Sequence, residues 1–189
     1  LKFVNYERTV EYQKSENINS KLYDEVFWGD IDAENLEDIF TKFNTESHPL
    51  HRGHSLSVSD IVKIEEGAFF CDSVGFKKVD FDESQTQKPD NLMKIVYVEP
   101  NRKPFVSEVE HKLDAEQKAV KGDIETIYIG DNDVCLVGNM ESKFMGMEGN
   151  RRIGESTIIA GPFFVVGLTW PGNDKFLKGK HNIEISFKD

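Results

Sequence analysis

This chain of 189 residues has only two cysteines, Cys71 and Cys135. They are far apart and form no CxxC spacing, which argues against a disulfide framework or a cysteine-based metal site. Both lie in apolar runs, Phe69-Phe70-Cys71 and Val134-Cys135-Leu136-Val137. The expected state is a buried, reduced thiol in a cytosolic protein. No run approaches the roughly 18 apolar residues needed for a membrane span, so no membrane partner is expected. The N-terminal stretch Leu1 to Arg8 carries charges too early to read as a signal peptide. Bases are scarce as well. There are 23 Lys and Arg against 34 Asp and Glu, a net charge of −11. Such a surface repels nucleic acid and attracts basic partners.

What is present suits a folded protein. Apolar residues make up 38% and charged residues 30%, and fourteen Phe can fill a core. The length fits one large domain or two small ones. The stretch Asp82 to Asn91 holds no apolar side chain apart from Pro89, so it reads as a linker. The sequence therefore predicts an acidic unit over 1–82, a linker over 83–92 and a second unit over 93–189. The first 82 residues carry a net −8 and residues 93–189 a net −2.

In the first unit, Tyr23 to Trp28 reads as a strand. Asp32 is then placed to cap a helix whose apolar residues are Leu36, Ile39, Phe40 and Phe43. That spacing forms one stripe, with Glu34, Glu37, Asp38 and Lys42 on the opposite face. Pro49 disfavours a helical His48 and ends the segment. Strands are expected over Ile61–Ile64, Ala68–Asp72 and Lys78–Phe81, joined by Glu65-Glu66-Gly67 and Val74-Gly75.

In the second unit, Met93–Val98 reads as a strand. Leu113–Lys121 reads as a helix stopped by Gly122. Ile124–Ile129 and Val134–Val137 form a hairpin around Gly130-Asp131-Asn132-Asp133. The apolar run Ile158–Leu168 is interrupted by Pro162, which belongs at a strand start and not in its middle. Asn182–Phe187 alternates as a last strand. The fold class is α+β: two small domains, each a mainly antiparallel sheet with one or two helices.

Three strings carry a resemblance. Asn35-Leu36-Glu37-Asp38-Ile39-Phe40, His54-Ser55-Leu56-Ser57-Val58-Ser59-Asp60 and Asp72-Ser73-Val74-Gly75-Phe76 together resemble the YodL-like domain, over about Tyr23 to Phe81. The first twenty residues carry no mark of it. Lys94-Ile95-Val96-Tyr97-Val98-Glu99-Pro100, Gly149-Asn150-Arg151-Arg152 and Ile158-Ile159-Ala160-Gly161-Pro162-Phe163-Phe164 are similar to a second family, one of unknown function. Both are typical of conjugative elements and phages. The resemblance supplies no catalytic residue set. It implies a protein that protects incoming DNA in the cytoplasm of a host bacterium, such as an anti-CRISPR factor acting on a type II RNA-guided nuclease or its guide RNA. The alternatives are a nuclease that truncates guide RNA, and a conjugation accessory protein without inhibitory activity.

The candidate residues follow from these readings. Glu34, Glu37 and Asp38 are expected to face a host nuclease through its basic nucleic-acid channel. His48, His51 and His54 recur every third residue, but the segment is not helical, so they are expected in a surface loop. His54 is the one candidate general acid–base. Ser59-Asp60 is expected to be a structural turn. Arg151 and Arg152, with Lys178 and Lys180, are candidates for RNA or phosphate contact. Trp170 and Phe176 are available to stack on bases. No metal and no cofactor is expected, because neither a calcium loop nor a phosphate-binding loop is complete.

Overall fold

The computed structural model describes residues 4–14, 17–129, 134–154 and 157–167. Helix α1 (Tyr6–Gln13) begins at Asn5, whose side chain accepts from the Arg8 amide. Helix α2 (Leu36–Thr45) begins at Asn35, which accepts from the Asp38 amide. Asp32 therefore does not cap it. Three antiparallel strands follow in the order β1 (Ile61–Ile64), β2 (Gly67–Cys71) and β3 (Phe76–Val79). Alternation along β2 sends Phe70 to one face and Cys71 to the other. Tyr6 of α1 meets Phe70 edge-on at 5.6 Å, while Phe40 of α2 meets Phe76, opposite Cys71, at 6.5 Å.

The expected strand over Tyr23–Trp28 does not form. The segment is extended but makes a single parallel bridge, Asp24 to Gln87. Its side chains serve different neighbours, and Phe27 packs into the core of the second unit. The connecting segment is also more tied down than its polarity suggests. Glu83–Gln85 is a 3-10 turn capped by Asp82. The Asp82 amide donates to Ser20 Oγ at 3.0 Å, and Gln87 exchanges backbone bonds with Tyr23 and Glu25, each 2.9 Å.

The second unit is built on five antiparallel strands: β4 (Leu92–Val98), β5 (Phe105–Glu110), β6 (Ile124–Ile129), β7 (Val134–Asn139) and β10 (Phe163–Gly167). Their order is β5-β4-β10-β7-β6. Helix α3 (Leu113–Val120) connects β5 to β6, and the hairpin β8 (Gly149–Ile153) with β9 (Thr157–Ala160) precedes β10. Gly161, at φ +70°, and Pro162 carry the chain from β9 into β10, so the proline sits before the central strand, as expected.

Both faces of this sheet are covered. One face presents Ile95, Tyr97, Phe105, Val109, Cys135, Val137 and Phe164. Ala119 and Val120 of α3 pack there, and the Tyr97 hydroxyl donates to Ala119 O at 2.7 Å. Leu50 and Phe27 of the first unit complete this core. The other face presents Val98, Leu136, Phe163 and Val165, covered by Ile153 and Ile159 of the β8–β9 hairpin. The two units thus share one buried core. Both cysteines are buried and unpaired, as the sequence predicts. No helix among the described residues is long and apolar enough to cross a membrane.

The stop of α3 differs from its sequence reading. Lys121, not Gly122, takes the left-handed conformation, at φ +61°. Gly122 is required for another reason: a Cβ there would lie 2.4 Å from Asn139 Nδ2. Asn139 is buried, and its Nδ2 donates to Lys121 O at 2.9 Å. Gly122→Ala must displace that amide, so it is expected to cost about 1–3 kcal/mol by urea denaturation. A neutral result would show that the Asn139 contact gives way freely.

Candidate functional site

The acidic face gathers at the start of α2. Glu34 and Glu37 are exposed there, and Asp30 and Asp32 are exposed in the segment that leads to it. Carboxylates in the first turn of a helix, here Glu37 and Asp38, are favoured by its amide dipoles. The three residues singled out by sequence are not equivalent. Glu34 and Glu37 project into solvent, whereas Asp38 is partly buried. Asp38 Oδ2 accepts from the Glu34 amide at 3.1 Å and lies 3.4 Å from Lys42 Nζ. Together with the Asn35 cap, this makes a reciprocal clasp close to a capping box. Asp38 therefore helps hold the helix end. Asp30 lies 3.9 Å from Arg102 Nη2 of the second unit.

The histidines divide. His48 and His51 are not in a surface loop, contrary to the sequence expectation. They lie in the seam between the units, inside a chain of aromatic rings. Phe43 of α2 meets His51 at 5.0 Å and Phe27 at 5.2 Å. Phe27 meets His48 at 4.8 Å, and His48 approaches Tyr97 at 6.0 Å. Burial, aided by Arg102 for His48 and by Lys118 for His51, pushes each imidazole down to about 4, so both are neutral at pH 7. The apolar residues around Pro49 left too little signal of this in the sequence.

His54 is exposed, as expected. Its Nδ1 lies 2.7 Å from Ser55 O and 3.7 Å from Asp60 Oδ2. A proton on Nδ1 bonds the carbonyl and leaves Nε2 as the basic nitrogen. Asp60 Oδ2 also accepts from the Ser57 amide at 2.8 Å. Ser59, at φ +82°, donates its amide to Cys71 O. The serine-rich string is thus a turn anchored to β2, as its Ser and Asp content implies.

Arg151 and Arg152 are successive residues of β8 in regular register with Ile159 and Ile158. Successive strand residues point to opposite faces, so the two guanidinium groups do not form one clamp. Arg151 Nη2 donates to Arg102 O at 2.7 Å, and Nη1 donates to Asn150 O. Arg152 is on the exposed side. Lys178 and Lys180, with Trp170, Phe176 and the expected strand Asn182–Phe187, lie outside the described residues, as does the turn at 130–133.

Sequence reading missed a charge cluster at the seam. Arg52 Nη2 donates to Glu25 O at 2.9 Å and lies 3.6 Å from Glu25 Oε1. Lys88 Nζ reaches Glu25 at 2.9 Å and Glu108 of β5 at 3.7 Å. Lys118 of α3 donates to His51 O at 2.6 Å. The one hint in the sequence is a lone Arg52 beside Gly53 in a stretch, 47–59, with no acid to pair it locally.

An open cleft of about 560 Å³ lies between Ser47–Pro49 and α3, lined by Asp114, Gln117, Lys118 and Lys121. Its charges are mixed and it gathers no nucleophile with a base. Among the described residues, no group of three or more His, Cys, Asp or Glu side chains could hold a metal ion.

Two family models match the chain. One describes the YodL-like domain and matches residues 1–81. It reaches further toward the N-terminus than the resemblance read from the sequence, consistent with α1 packing on Phe70. The other describes a domain of unknown function (DUF3846) and matches residues 93–184. No curated protein and no solved structure matches. The chain therefore joins a region similar to the YodL-like domain to a region similar to DUF3846, with residues 82–92 between them.

Proposed function

We propose that this chain is a counter-defence protein of a mobile element and that it acts by binding. Its acidic unit occupies the basic nucleic-acid channel of a host nuclease. A type II RNA-guided nuclease has such a channel and is the proposed target, which makes the protein an anti-CRISPR inhibitor. One observation carries this reading. Glu34 and Glu37 are exposed at the start of α2, and Asp30 and Asp32 are exposed in the segment leading to it, while Lys42 is engaged by Asp38. Binding of the guide RNA is a variant of the same reading, with Arg152 as its contact.

A second reading rests on His54 and Asp60. A carboxylate beside an exposed imidazole can orient it as a general acid–base, here toward guide RNA. The binding reading is favoured because Nδ1 of His54 and Oδ2 of Asp60 both serve backbone groups of their own turn.

Incubating the purified protein with guide RNA, alone and with the nuclease, separates the two. The binding reading expects intact RNA on the gel and lost DNA cleavage. It also expects His54→Ala to inhibit as well as the parent. RNA shortening by the parent that disappears in a folded His54→Ala variant would establish an enzyme instead. Full nuclease activity in the presence of the protein would leave the accessory role in conjugation.

A further inference from the structure

Among the described residues, the five-stranded sheet ends in β5 on one side and β6 on the other. Strand β5 packs against the first unit through its side chains. Ser107 donates to Trp28 O, and Gly29 lies so close that an added Cβ would sit 2.9 Å from the Phe105 ring. Lys88 ties Glu25 to Glu108 alongside. The β6 edge is different. Among the described residues it has a strand neighbour only on the β7 side. Its six residues, Ile-Glu-Thr-Ile-Tyr-Ile, pair with β7 without a bulge. They include no Lys, Pro or Gly, the usual devices that blunt an edge. Tyr128 is 58% and Ile129 39% exposed. The composition is that of a strand suited to pairing on both sides.

We propose that β6 pairs antiparallel with β6 of a second copy of this chain, giving a ten-stranded sheet across a two-fold axis. The strand is self-complementary. A two-fold pairing must set one residue opposite itself, and overlap is greatest when that residue is Thr126 or Ile127. Glu125, the only charge in β6, then faces Ile127 or Ile129 of the other copy and never its own counterpart. Exposed Tyr128 gains cross-strand neighbours from Ile124 or Thr126. The pairing also terminates itself. The contact is isologous and uses the β6 edge of both copies, so this pairing closes at two copies and does not run on into fibres. The net charge of −11 on each copy opposes association, and one strand per copy is a small interface. The dimer is therefore weak, and it tightens as salt screens the repulsion.

Sedimentation equilibrium of the full chain, from low to several hundred micromolar, tests this. The expected apparent mass rises from 21.6 kDa toward twice that value, and rises earlier at higher salt. Thr126→Lys with Tyr128→Lys changes two exposed side chains and sets like charges across the axis. Circular dichroism should report an intact fold, and the mass should stay at the monomer value. Amide exchange of the unaltered protein supplies a second readout, in which β6 gains protection as concentration rises. A monomer at every concentration, or a dimer that survives the double substitution, overturns the proposal. So does β6 protection that is the same at all concentrations, which would put the cover within one chain.

Discussion

Replacing Leu50 by alanine should cost about 2–5 kcal/mol, and both units should unfold together at the lower temperature. Leu50 belongs to the first unit by sequence, yet it is 3% exposed among Ile95, Tyr97 and Phe105 of the second. Truncation leaves a cavity against β4 and β5, strands that cannot close up without breaking their ladder. Phe27 and His48 flank the same site, so the loss extends to the ring contacts between the units. A single transition, shifted as a whole in calorimetry, is the expected result. Two transitions, with only the first one shifted, would show that the units are independent and that the shared core contributes little.

Stability should also fall as pH drops from about 6.5 toward 4, and His51 should carry much of that fall. Its pKa is about 4 in the folded chain against 6.5 when free. A base whose folded pKa is depressed binds more protons in the unfolded state throughout that window. Stability is therefore complete above about 6.5, declines as pH falls and levels off below about 4. For His51, which is 5% exposed, the shift corresponds to about 3 kcal/mol. His48 acts in the same direction for the same reason, burial first and neighbouring cations second. His51→Phe keeps a ring against Phe43 and cannot be protonated. Its stability should depend less steeply on pH, by close to one proton over that window. An unchanged slope would mean that carboxylates alone account for the acid sensitivity.

The parts of the fold written in local patterns were legible. The stripe Leu36, Ile39, Phe40 and Phe43 gave α2, and the apolar runs gave β1, β2, β4, β7 and the break at Pro162. Strand β5 gives no clear sequence pattern because its inward face includes Ser107, buried against Trp28 O, while Val106 points outward and breaks the usual alternation. Strand β8 reads in the sequence as a polar contact site because Asn150, Arg151 and Arg152 dominate it. The connecting segment read as a linker because its anchors are backbone and polar groups, which leave no hydrophobic pattern. The seam was illegible for a related reason. His48, Leu50 and His51 become a core only when β4 and β5, some fifty residues away in sequence, are folded beneath them. The candidate site was legible in part. The exposure of Glu34 and Glu37 followed from the helix period, but the clasp made by Asp38 depends on cap geometry, which the acidic run alone does not specify.

That distinction sets the most direct test of the binding reading. Glu34→Lys with Glu37→Lys reverses two exposed charges and leaves Asp38 to hold the helix end. Exposed charges contribute little to stability, so Tm should stay nearly constant. The measurement is inhibition of a type II RNA-guided nuclease by this variant, titrated at low and at physiological salt. The expected result is weaker inhibition than the parent, with the difference larger at low salt, where exposed charges are least screened. Equal inhibition by variant and parent at both salt concentrations would contradict the claim that the acidic face engages a basic channel.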